Sequence, residues 1–188
     1  MTIHEAVRKI ATLPGAEVGH GFKHPDDPDP GYAEYYQTHL QEHPFLKGYP
    51  DFLEFLETYS GCVVDQLDTE QVGEFLSATI FGLGPWSMEE LAPAVDGQGF
   101  YCFSTVETGV RRQGKAAGSE PPDTVASFAF DATGQRPKGV YAQVHRLDET
   151  PPPLQVYCPT FSEWLRRFAE AGGRLLPFHE EAESVGKP

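Results

Sequence analysis

GYPDFLEFLETYSG, residues 48–61, is the stretch on which the reading of the chain turns. Pro50 suits the first position of a helix, where a missing N–H and a fixed φ cost nothing. Phe52, Phe55, Leu56 and Tyr59 then recur at i, i+3, i+4 and i+7, one apolar stripe at helical spacing. Asp51, Glu54 and Glu57 fall off that stripe, with the acids towards the N-terminal end that the helix dipole favours. Gly61 stands where a left-handed residue would close the helix. Cys62-Val63-Val64 follows directly, so the chain is expected to pass from helix into strand. Two Phe, a Leu and a Tyr on one face must be buried against something large, and a sheet is the expected surface.

Working outward, Thr2 and Glu5 form a T-x-x-E capping box ahead of the stripe Ile3, Ala6, Val7, Ile10, which predicts a helix over about 3–12. Residues 15–30 carry Gly, Pro and Asp at a density that predicts an irregular loop. Asp29-Pro30 reads as an N-cap and first-turn proline for a helix carrying Tyr32, Tyr35, Tyr36, His39, Leu40 and His43, up to Pro44. Strands are predicted over 73–82, where a helix is the alternative, and over 99–106, 125–130, 139–145 and 154–158, with a mobile basic loop over 107–124. Ser87 and Glu90 repeat the capping-box pattern for a short helix ended by Pro93. Thr160 and Glu163 cap a last helix with the stripe Phe161, Trp164, Leu165, Phe168, stopped by Gly172-Gly173. The order predicts an α+β fold, a central antiparallel sheet packed with helices from both ends of the chain. At 188 residues the chain suits a single domain, 1–188, with 1–43 as an N-terminal helical extension.

This order of motifs resembles the SUKH superfamily, the Smi/Knr-type immunity and regulatory proteins. The resemblance rests on the helix YPDFLEFL followed by Gly61, then SFAFDATG at 127–134, the strands at 139–145 and 154–158, and TFSEWL at 160–165. It spans a core of about 44–172. It departs from the family at Ser60-Gly61, where an Asn-Gly pair is common, and in the turn DATGQR, which is less glycine-rich than usual. What the resemblance implies is an α+β fold and a protein that binds and neutralises a cognate, co-encoded toxin, often a nuclease, without catalysis. A regulatory interaction module of the same fold is the second function it allows.

Composition bears on the partner. The net charge is −14, and residues 1–110 hold 18 Asp/Glu against 4 Lys/Arg, whereas 111–188 are balanced at 10 against 10. Direct contact with nucleic acid needs a basic face and is not expected. No apolar run is long enough to cross a membrane. No signal-peptide pattern opens the chain, and Cys62, Cys102 and Cys158 are odd in number and widely spaced, so a reducing cytoplasmic setting with buried thiols is expected. The acidic half is suited to drawing in a basic protein partner, solubility being the competing role of the same charge. Asp65, Asp68, Glu70 and Glu74 cluster just after the organising helix and are the candidate contact acids, joined by Trp86 beside Gly84-Pro85, for which core packing is the alternative.

The chain also carries one pattern with catalytic associations. His39-Leu40-Gln41-Glu42-His43 matches H-x-x-E-H, which places two imidazoles on one helical face for a zinc hydrolase. Against it stand the shared stripe with Tyr32, Tyr36 and Leu40, Pro44 directly after the second His, and the lack of a third ligand on a later helix. His20 and His24 flank GFK in the loop and could extend the pair to four histidines, though loop histidines are commonly solvated. No nucleophile motif, phosphate loop or dinucleotide fingerprint is present. The expectation is no catalytic residue, no metal and no cofactor.

Overall fold

In the computed structural model residues 1–65, 73–83, 99–111 and 122–178 are described. Among them seven strands form one antiparallel meander whose spatial order is the chain order: β1 (Ala16–Val18), β2 (Cys62–Asp65), β3 (Gly73–Ile80), β4 (Phe100–Arg111), β5 (Thr124–Asp131), β6 (Val140–Arg146) and β7 (Gln155–Cys158). Among the described residues four helices accompany it: α1 (Ile3–Ile10), α2 (Tyr32–Glu42), α3 (Pro50–Tyr59) and α4 (Phe161–Glu170), with a 3-10 turn at Pro44–Gly48 between α2 and α3. The fold is α+β, with helices from both ends of the chain packed on a central antiparallel sheet.

Helix α3 has the expected Pro50 start, and Phe52, Phe55, Leu56 and Tyr59 are all buried. Its Phe52 ring meets Phe103 of β4 and Phe130 of β5 at 5.7 and 5.2 Å between centroids, so the stripe does lie on the sheet. Asp51 ties α3 to α4: its Oδ2 accepts from the Ser162 backbone N–H at 2.7 Å, a carboxylate at a helix N-terminus, where the dipole favours it. In α4 the Thr160 hydroxyl accepts from Glu163 N, and Phe161, Trp164, Leu165 and Phe168 are buried. In α1 the Thr2–Glu5 capping box is complete and Ile3, Ala6, Val7 and Ile10 face the core.

Several sequence expectations need correction. Helix α3 is closed by Ser60, at φ 43°, and not by Gly61, which takes φ 147°. Ser60 is held there because its carbonyl accepts from Leu83 N at 2.6 Å, with Gly82 packed so close that a Cβ would reach that oxygen. A non-glycine residue in this conformation is strained, and the Ser60 hydroxyl is buried without a partner among the described residues. Ser60→Gly should therefore stabilise the protein by about 1 kcal/mol, read as a higher denaturation midpoint; a lower midpoint would show that the hydroxyl is satisfied in solution.

The loop expected over 15–30 contains β1, which pairs with β2. Both ends of the segment expected to be a loop over 107–124 are strand: β4 continues to Arg111 and β5 begins at Thr124. Alternation continues through Glu107-Thr108 but Gly109 obscures it, and Gly109 is where the Phe75 ring closes against the backbone. Helix α2 starts at Tyr32, with Gly31 at the N-cap position; Asp29 Oδ1 accepts from Gly31 N and so shapes the approach instead of capping. Residues 1–43 are built into the fold, α1 against α4 and β1 on the sheet edge. The short helix read at Ser87–Glu90 lies outside the described residues. Cys62, Cys102 and Cys158 are buried thiols, and burial pushes Cys62 and Cys158 up to about 12, where they stay protonated.

Candidate functional site

Strand alternation gives the sheet two unlike faces. Val64, Leu76, Ala78, Ile80, Phe103, Val106, Ala126, Phe128, Phe130, Val140 and Ala142 join the core that receives the buried residues of all four helices. The far face has its own small apolar cluster at one end, made of Phe81, Phe100, Cys102, Ala129 and Tyr141. A bulge between Cys102 and Ser104 separates that end from the rest by resetting the register of β4 against β5.

Beyond the bulge, the pairing lays two rows side by side across the far face. One runs Val63, Thr79, Thr105, Ser127, Gln143; the next runs Asp65, Ser77, Glu107, Val125, His145. Most of these positions carry polar side chains and are half-buried or buried. Gln143 Oε1 and His145 Nδ1 are buried with no hydrogen-bond partner among the described residues. Such atoms cost free energy unless something meets them.

Glu107 is the centre of the second row. It is half-buried and makes no ion pair or hydrogen bond among the described residues. Burial raises its pKa, and the Asp65 carboxylate raises it further. The arrangement offers carboxylate and amide acceptors to a cation.

Of the acids singled out from sequence, Asp65 and Glu74 are described, and these two project to opposite faces of the sheet. Asp65 closes β2 on the far face beside Ser77. Glu74 has the parity of Leu76 and Ala78, so it projects to the helix side of the sheet. There its carboxylate pairs with Arg174 at 3.0 Å, beside a cleft of about 300 Å³ that Asp123 also lines. Asp68, Glu70 and Trp86 lie outside the described residues. Glu107, Gln143 and His145 were not legible as site residues. Glu107 fell in the segment read as a loop, and neither Gln143 nor His145 stands out until register places them beside it.

The four histidines singled out from sequence form two separate pairs. His20 and His24 stack at 4.2 Å between centroids, and His20 Nδ1 lies 3.0 Å from Asp27 Oδ2. His39 and His43 meet at 4.7 Å, and both pack on Tyr101, whose hydroxyl lies 2.9 Å from His39 Nε2. Helix α2 ends at Glu42, with His43 in a cap conformation, because Pro44 disfavours helix at the residue before it. Burial, with His43 nearby, holds His39 down at about 4, so it is neutral at pH 7.

No family model, curated protein or solved structure matches the chain. Among the described residues no helix is long and apolar enough to cross a membrane.

Proposed function

We propose that the protein is a non-catalytic binding module that captures a basic protein through the far face of its sheet, and that its partner is a co-encoded toxin which it neutralises, as the resemblance to SUKH immunity proteins implies. The observation that carries this reading is Glu107, a half-buried carboxylate beside Asp65 with no cation paired to it among the described residues. A carboxylate in that position is costly in the free protein and is relieved by a Lys or Arg from outside. The excess of acids in residues 1–110 supports the same partner charge.

The test is binding to the product of the adjacent gene, followed by two variants. Glu107→Gln should weaken binding by about tenfold or more, mainly through faster dissociation, because it removes the buried half of a charge pair. The free Glu107→Gln protein should be at least as stable as the parent, since a disfavoured charge is gone. Asp65→Lys should slow association and flatten its dependence on salt, as expected for steering at a Debye length of about 10 Å in 0.1 M salt. Unchanged rates in both variants would sink the far-face reading. Failure of the neighbouring product to bind would shift the function to a regulatory interaction module.

A further inference from the structure

We propose that His39, Glu42 and His43, at the C-terminal end of α2, bind one divalent ion of the zinc type. This is independent of the far-face reading and needs no catalytic role. One ligand atom from each of the three residues lies within 4.8 Å of the others. A tetrahedral zinc centre with bonds of about 2.0–2.1 Å holds its donors roughly 3.4 Å apart, so the group closes on an ion by side-chain shifts of about 1.4 Å or less.

The structure supplies what the spacing alone lacked. The third ligand comes from Glu42 within the motif, so none is needed from a later helix. Ending the helix at Glu42 turns His43 into a cap residue whose ring packs edge-on to His39. Tyr101 and Phe45 wall the group, with His43 at 5.1 and 6.0 Å and Phe45–Tyr101 at 5.5 Å between centroids. Aromatic packing therefore holds both imidazoles near one another before any ion arrives, which lowers the ordering cost of binding. The Tyr101 hydroxyl on His39 Nε2 gives that ring the kind of orienting contact metal-bound histidines ordinarily have. The end of α2 presents the negative pole of its dipole to a cation. Two imidazoles and one carboxylate suit zinc, cobalt or nickel, and not calcium or magnesium, which take oxygen donors.

The experiment is calorimetric titration of ZnCl2 into the full chain after treatment with EDTA and dialysis, with Co²⁺ absorption reporting coordination. One saturable equivalent is expected, unaffected by excess calcium. His43→Ala and Glu42→Gln should each weaken it by at least about tenfold. Glu42 is exposed, so its variant keeps the fold even if a histidine variant does not, and circular dichroism checks both. The double variant His20→Ala with His24→Ala should bind as the parent does, which separates this site from adventitious histidine binding. Absence of a saturable equivalent, an affinity indifferent to Glu42→Gln and His43→Ala, or loss of binding in the His20/His24 variant would each overturn the assignment.

Discussion

Phe52→Ala is expected to cost about 3–5 kcal/mol of folding stability, the range for emptying a buried aromatic site. Phe52 has no exposed surface and sits where α3, α4 and the sheet converge. Its ring centroid lies 6.3 Å from Phe55, 5.7 Å from Phe103, 5.2 Å from Phe130 and 5.0 Å from Phe161. Edge-on, tilted and stacked aromatic pairs of this kind add about 0.5–1.5 kcal/mol beyond area burial, which places the loss in the upper part of the range. Since these neighbours come from two helices and two strands, they cannot all close on the cavity at once. Denaturant unfolding should show a lower midpoint with an unchanged slope. Glu54→Ala, on the exposed side of the same helix, should stay within about 0.5 kcal/mol of the parent. Equal effects from the two variants would mean that the stripe does not face the sheet.

Asp131 is the second position where one side chain carries a large effect. It ends β5 with only 2% of its side chain exposed. Oδ1 accepts from the Thr133 hydroxyl at 2.7 Å, from Thr133 N at 3.2 Å and from the Arg136 guanidinium at 2.9 Å, and Oδ2 accepts from Arg136 N at 3.0 Å. Burial pushes the carboxyl up, but the hydrogen bonds from Thr133 and Arg136 outweigh it and hold the pKa at about 2, against an ordinary 3.8. The folded state thus binds this proton less readily than the unfolded chain does. Its contribution, about 2 kcal/mol, is present in full above the ordinary carboxyl range and is lost as pH falls from about 4 through about 2. Asp131→Asn should cost about 2–3 kcal/mol at pH 7, because the new amide turns a donor towards donors. It should also flatten the stability profile in that acid window. Part of the slope will remain: hydrogen bonds from Arg166 and Arg167 hold Glu163 at about 2 as well, in a more exposed setting that is worth less. A variant with the parent's profile between pH 4 and 2 would show that the turn is not what the carboxylate stabilises.

Local pattern determined a great deal here. The stripe Phe52, Phe55, Leu56, Tyr59, the capping pairs Thr2–Glu5 and Thr160–Glu163, and the runs around 125–130 and 139–145 each specify an element through contacts a few residues apart. Helical and strand periods are properties of neighbouring residues, so they survive in one dimension and carry the α+β class with them. Register does not survive, because it is a relation between segments far apart in the chain. Only pairing shows that Asp65 and Glu74, nine positions apart on adjoining strands, project to opposite faces, or that Glu107, Gln143 and His145 gather on one of them. The left-handed cap is a similar case. A glycine beside a helix end is the cheaper choice locally, and it was the long-range contact of Ser60 with Gly82 and Leu83 that moved the turn by one residue. At the end of α2 the sequence held the three ligand types in order, while the packing of Tyr101, from a strand about sixty residues away, decided where the two imidazoles rest.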